Sequence, residues 1–265
     1  MSLRFRARAV QTAKSLLKPE VRSWIVQQQR KHRLQWPRTG SVRFGDLRRV
    51  TPISPIFGLD RGQPIDRYYI EKFLTENAEF VRGRALELGD ATYIKKFGGD
   101  RVRQIDVLHV VAGNPEATIV ADLTNAEHIP SDIFDVVIFT QSLQMIYDMK
   151  AALRTLHRIL KPGGTLLLTS AGIAKIGRRL GRDGWGEYYH LTTQGTQSLL
   201  EETFPGADIH VGSYGNVLAA TAFLHGLAVS ELTSAELDHA DPDMELLVTA
   251  RAVKANPSRS GAGVP

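Results

Sequence analysis

The sequence predicts an α/β protein: a doubly wound, mostly parallel sheet of seven strands, preceded by a helical N-terminal extension. Three observations predict it. Beyond residue 83, apolar runs of strand length alternate with segments of helical periodicity, and such alternation builds parallel sheets with right-handed crossovers. The run Phe134-Asp135-Val136-Val137-Ile138-Phe139 is nearly all apolar, as a strand covered on both faces must be. The helical segment 149–160 stops at Lys161-Pro162-Gly163-Gly164 and passes straight into Thr165-Leu166-Leu167-Leu168-Thr169.

From the N-terminus, residues 8–35 predict a helix interrupted by Pro19, with Ala9, Val10, Ala13, Leu16 and Leu17 at helical spacing and Trp24 and Ile25 beyond the proline. Residues 37–64 are punctuated by proline and glycine and predict an extended connector, whose Ile53, Ile56, Phe57 and Leu59 are able to pack on a neighbouring surface. Residues 65–80 predict a helix with Ile65, Tyr69 and Phe73 on one face. Strands are expected at 84–88, 106–111, 117–121, 134–139, 165–169, 208–211 and 245–253. Helices are expected at 149–160, 192–203 and within 215–228. The domain reading is an extension and connector over 1–64, one α/β domain over 65–254, and a disordered tail over 255–265.

Composition narrows the chemistry. The 265 residues suffice for one large core, and the absence of cysteine excludes disulfides, thiolate metal sites and a cysteine nucleophile. No metal is expected. No apolar run approaches the roughly 20 residues that span a bilayer. The basic start Met1-Ser2-Leu3-Arg4-Phe5-Arg6 has no apolar stretch behind it, so a secretory signal is not expected and a cytoplasmic location is. Charge is uneven: residues 1–50 carry 13 Lys and Arg against two acids, while the rest carries 20 against 26. Such a basic arm suits an anionic membrane surface, nucleic acid or a phosphorylated substrate, or it folds back on the acidic body. The basic residues lie outside the core and are not interleaved with aromatic platforms, which argues against nucleic acid. Composition leaves an oligomer open.

In sheets of this kind ligands bind beyond the carboxyl ends of the strands, so the residues after Leu88, Val111, Ala121, Phe139 and Thr169 carry the functional expectation. There the chain resembles the class I S-adenosylmethionine-dependent methyltransferases of the small-molecule type, a Rossmann-like family, over about residues 83–253. Four stretches carry the resemblance: Ala85-Leu86-Glu87-Leu88-Gly89-Asp90, Val120-Ala121-Asp122-Leu123, Phe134-Asp135-Val136-Val137-Ile138, and Leu153–Leu168 with its Lys-Pro-Gly-Gly stop. No N-P-P-Y-like tetrapeptide comes after the fourth strand, where base methylases of this fold carry one.

The resemblance implies S-adenosylmethionine as cofactor and a small-molecule acceptor methylated on oxygen or nitrogen, one that carries a sugar included. It implies cofactor contacts from Glu87, Gly89, Asp90 and Ala91, from Asp122 at the adenine amino group, from Leu123 against the adenine ring, from Gln141, and from Arg67 at the cofactor carboxylate. It places Tyr68, Tyr69, Gln144, Trp185, Tyr188 and Tyr189 toward the acceptor. His190, in the loop 182–192, is the candidate general base, because an imidazole titrates near neutral pH. Two departures stand out. The family's three alternate glycines are here Gly89, Ala91 and Tyr93, so the loop bends differently or Tyr93 points away from the cofactor. The second strand ends without the acid that holds the ribose hydroxyls; Asp106 lies early in it. The alternative reading is a methyltransferase fold with weak or no methyl transfer, acting as a binding or scaffold protein or catalysing another reaction.

Overall fold

The computed structural model describes residues 17–32, 37, 39–177 and 186–256. The chain falls into two compact units, residues 1–50 and 51–265. In the first, helix α1 spans Pro19–Lys31, and a short 3-10 turn comes after it at Gly45–Leu47. Pro19 opens this helix rather than breaking it, since its fixed φ suits a first turn and its missing N–H costs nothing there. Residues 8–16 and 33–35 of the expected helix lie outside the described residues, as do the tail residues 257–265.

The second unit is a seven-stranded sheet with helices on both faces. Its elements are α2 (Ile65–Glu76), β1 (Gly83–Leu88), α3 (Thr92–Gly98), β2 (Val102–His109), β3 (Ile119–Val120), β4 (Phe134–Thr140), α4 (Met149–Ile159), β5 (Leu160–Ala171), α5 (Thr193–Thr203), β6 (Asp208–Tyr214), α6 (Val217–Leu224), α7 (Ser234–Leu237) and β7 (Leu247–Val253). The strand order is β3-β2-β1-β4-β5-β7-β6. The pairs from β3 to β5 are parallel; β7 runs antiparallel to both neighbours.

Side-chain alternation along the strands builds two cores. Leu86, Val137, Phe139, Leu166 and Leu168 face α4 and α5, where Leu153, Leu156 and Leu200 meet them. Ala85, Val136, Ile138 and Leu167 face the other way, onto Ile65, Ile70, Phe73 and Leu74 of α2, Ile94 of α3 and Phe223 of α6. Each such large side chain, fully buried, contributes about 1.5–3 kcal/mol.

The connector packs. Ile53 and Ser54 amides both donate to the His225 carbonyl (2.9 and 3.0 Å), Pro64 bridges to Ala228, and Phe57 lies 6.0 Å from Phe223. Residues 51–64 therefore form part of the second unit.

Several boundaries differ from expectation for identifiable reasons. β2 starts at Val102 and ends at His109, because it pairs with β1 only from Gly83 to Leu88; Val110 and Val111 lie past the ladder and are exposed. β3 keeps only Ile119 and Val120, which pair with Leu108 and His109. The Lys-Pro-Gly-Gly stop lies inside β5 as a bulge: Phe134 pairs with Leu160, then Val136 with Thr165. Lys161 reaches back from the bulge to Asp135 (2.7 Å). β6 runs on to Tyr214, and α2 ends at Glu76 before a 3-10 turn at Ala78–Phe80.

Asn216 ties the carboxyl end of β6 to α6 and to the α7 region. Its side chain caps α6 by accepting from the Ala219 amide (2.9 Å) and donates to the carbonyls of Glu236 (2.7 Å) and His239 (2.9 Å). Asn216→Ala leaves one amide and two carbonyls without these partners at a buried position. It is expected to cost about 2–3 kcal/mol, read as a lowered urea midpoint with an unchanged slope.

Candidate functional site

The loop after β1 is organised from beneath by Glu87. Its carboxylate accepts from the amides of Tyr93 (3.1 Å) and Ile94 (2.8 Å), the first turn of α3, where the helix end attracts an anion. The side chain is only 2% exposed, and burial pushes its carboxyl up to about 7 although the two amides pull it down. Above it, Gly89 has φ +88, and a Cβ there would meet nothing within 4 Å. The floor over this turn is therefore open, and only glycine takes that backbone without strain. The Gly89 amide donates to Leu108 and its carbonyl accepts from Asn114 Nδ2 (2.5 Å). Asp90 is exposed and takes the Thr92 amide (2.8 Å); Ala91 is buried just before α3.

Tyr93 points away from this floor. Its ring stacks on Phe97 (6.2 Å between centroids), and its hydroxyl accepts from Arg67 Nη1 (2.9 Å). Arg67, in the first turn of α2, is thereby drawn toward the loop and is faced by Asp66, Tyr93 and Asp90. Burial raises the Asp66 carboxyl, with Arg67 opposing.

At the end of β2 no acid is available. Asp106 stands opposite Leu86, short of the carboxyl end, and is held by Arg84 Nε (2.7 Å), Thr118 Oγ1 (3.1 Å) and Gln104 Nε2 (3.2 Å). His109 closes the strand instead, with Nδ1 2.8 Å from the Val111 carbonyl. After β3, Asp122 is exposed and accepts from the Thr124 amide (2.9 Å) and hydroxyl (2.8 Å) through one oxygen. Leu123 is buried in the core with Leu86 and Ala121, so it presents no face to a ligand ring; that expectation is corrected.

Beyond β4 and β5 the polar groups form a chain. Gln141 has φ +50, a conformation costly for a residue with a side chain and concentrated at functional sites. Gln144 donates to Gln141 Oε1 (2.7 Å) and accepts from Ser170 Oγ (2.9 Å). The Gln144 carbonyl also accepts from the amides of Tyr188 (2.8 Å) and Tyr189 (3.3 Å), which brings residues 186–190 over this end of the sheet. There Tyr147, Tyr188 and Tyr189 form a cluster with centroids 5.4–6.3 Å apart, Tyr147 and Tyr188 being exposed. Behind them the Glu187 side chain, 4% exposed, accepts from the Gly177 amide and sets Oε1 3.2 Å from His190 Nε2.

Of the residues singled out in the sequence, Gly89, Asp90, Ala91 and Arg67 gather at the β1 loop, and Gln141, Gln144, Tyr188, Tyr189 and His190 gather beyond β4 and β5. Trp185 lies outside the described residues. Tyr69 is corrected: it is 1% exposed, stacks on Tyr214 (5.5 Å), donates to the Leu237 carbonyl (2.8 Å) and is part of the core. Tyr68 is held by Asp238 (2.9 Å) on the same side of α2. Sequence reasoning noted Glu187 in the loop 182–192 without giving it a role, and gave none to Tyr147, Ser170 and Asn114. Glu187 stood three residues before His190, a legible signal; Asn114 gave none.

Among the described residues, no group of three or more His, Asp or Glu could hold a metal ion. A cavity of about 320 Å³ lies elsewhere, between α2 and the β6–β7 edge, lined by Glu76, His210, Tyr214 and Arg251 among others. None of the residues at the β1 loop or beyond β4 and β5 lines it.

Residues 91–168 match the family described as a methyltransferase domain. No curated protein matches the sequence. The fold is similar to an S-adenosylmethionine-dependent methyltransferase from Mesorhizobium loti, at 22% identity over 74% of this chain and 100% of that one, with a TM-score of 0.46. It is also similar to one from Archaeoglobus fulgidus (10%, 71% and 94%, 0.47) and to DhpI in its S-adenosylhomocysteine complex (14%, 72% and 85%, 0.46). The match to a methyltransferase domain thus covers residues 91–168, within a seven-stranded, mostly parallel sheet of the kind the resemblance implies.

Proposed function

We propose that the chain methylates an oxygen or nitrogen of a small molecule, sugar-bearing metabolites included, in the cytoplasm, with His190 as general base. The observation that carries this reading is the buried Glu187 carboxylate set 3.2 Å from His190 Nε2 beside the Tyr147, Tyr188 and Tyr189 cluster, at the carboxyl ends of β4 and β5.

The residues present fit the cofactor at the β1 loop: a Cβ at Gly89 would meet nothing within 4 Å, so the space over the turn is open. Gly89, Asp90 and Ala91 would border the cofactor's amino-acid part, Arg67 its carboxylate, Asp122 its adenine amino group, and Gln141 the side toward the acceptor. Glu87 acts from below by holding the turn. When bound, S-adenosylmethionine supplies an activated methyl group on a sulfonium. The ribose would be met by neutral groups, since Asp106 is engaged within the sheet.

Glu187 accepts, so a neutral His190 carries its proton on Nε2 and keeps the Nδ1 lone pair free. That nitrogen takes the acceptor's O–H or N–H proton as the acceptor becomes nucleophilic and later returns it to water. The tyrosine rings hold a flat or sugar-like acceptor, while Gln144, 3% exposed and held between Gln141 and Ser170, does not reach it as the sequence led us to expect and acts only by positioning Gln141. Alignment of the acceptor atom supplies much of the acceleration.

Calorimetric titration with S-adenosylhomocysteine is expected to show binding to the wild type, weakened about tenfold or more in Gly89→Val, which both fills the floor and strains the backbone; no binding to the wild type at about millimolar ligand would sink the cofactor site. In methyl-transfer assays over hydroxyl- and amine-bearing acceptors, His190→Gln is expected to lower kcat by about 10²–10⁴ while leaving S-adenosylhomocysteine affinity unchanged. Unaltered turnover in that variant removes His190 from the chemistry.

Glu87 also links stability to pH. Its folded value, about 7, lies above the ordinary 4.5, so the folded chain holds an extra proton between them. The stability this contributes is complete below about 4.5 and is lost as pH rises through about 7, an effect on the order of 3 kcal/mol. Urea midpoints measured across that window should fall with pH in the wild type, and that component should vanish in Glu87→Gln.

A further inference from the structure

We infer that the basic N-terminal unit docks the chain on an anionic lipid surface through the apolar side of α1. Residues 1–50 carry 13 Lys and Arg against Glu20 and Asp46, a local excess that the methyl-transfer reading does not use. Within this unit α1 leaves its large apolar groups outward. Trp24 is 59% and Val21 42% exposed, one helical turn apart, and Ile25, next to them on that side, is half-buried. Leu17 before the helix and Val42 and Phe44 after it are exposed as well. Lys18 and Lys31, at the two ends of α1, are exposed beside this apolar side.

A solvated helix gains nothing from an outward tryptophan. A helix lying in the headgroup layer does, since indole and valine enter the acyl boundary while flanking lysines meet anionic headgroups. Nucleic acid would use the same positive charge but would leave the Trp24–Val21 side without a role, because it binds phosphate first and the apolar residues here are not arranged as a stacking series. The acidic body of the chain, net −6 over residues 51–265, is the competing occupant within the molecule.

Flotation of the full chain decides among these. With vesicles of phosphatidylcholine containing phosphatidylserine, the wild type is expected to float at low salt and to be largely released at high salt. With phosphatidylcholine alone it should stay at the bottom of the gradient. Trp24→Ala should lower binding about tenfold, and Arg4, Arg6 and Arg8 together replaced by Gln should lower it by about tenfold or more. Both variants should unfold thermally as the wild type does; Trp24 is largely exposed, so its loss removes little packing. Three results would overturn the inference: no flotation on phosphatidylserine vesicles, equal flotation on the two vesicle types, or undiminished flotation of Trp24→Ala. None of these readouts involves methyl transfer, so failure here leaves the proposed reaction untouched, and the reverse.

Discussion

The burial of one carboxylate beneath the first turn of a helix governs the ligand end of this sheet. Glu87 leaves β1 on the face that α3 covers, and both its oxygens are taken by the Tyr93 and Ile94 amides. Those amides belong to the part of a helix that has no backbone partner of its own. The contact ends the strand, starts the helix and forces the chain between them into a tight turn. That turn needs a positive φ at Gly89 and leaves open space above it. The cost is a carboxyl held where its charge is poorly solvated, visible in its raised proton affinity.

The other half of the site depends on a second buried acid. Glu187 joins the Gly177 amide to His190, so both sides of residues 178–185 meet at one carboxylate. The Gln144 carbonyl adds the backbone bonds to Tyr188 and Tyr189. Here too a polar group with few ways of being satisfied sets the local geometry, and His190 takes its orientation from it.

The departures from the family's glycine pattern are accommodated by side-chain direction. The third glycine position holds Tyr93, which turns toward Phe97 and Arg67 and supports α2 against the loop. The missing acid at the end of β2 is not supplied by Asp106, which neutralises Arg84 inside the sheet. The two substitutions thus differ in kind: one adds a structural contact, the other leaves the end of β2 without an acid.

By itself the sequence determined the α/β class, the seven strands and the inward face of α2, because period, apolar runs and turn residues act over a few neighbouring positions. It misread β2 and the Lys-Pro-Gly-Gly stop, because a strand's extent is set by the partner it pairs with, and only the ladder with β1 and β4 limits them. Tertiary structure alone decided that Tyr69 and Leu123 are core and that Glu187 supports His190. It also decided that Tyr93 turns from the floor and that Asn114 reaches Gly89. Each of these rests on where a side chain finds space or a hydrogen-bond partner, and chain neighbours do not specify that.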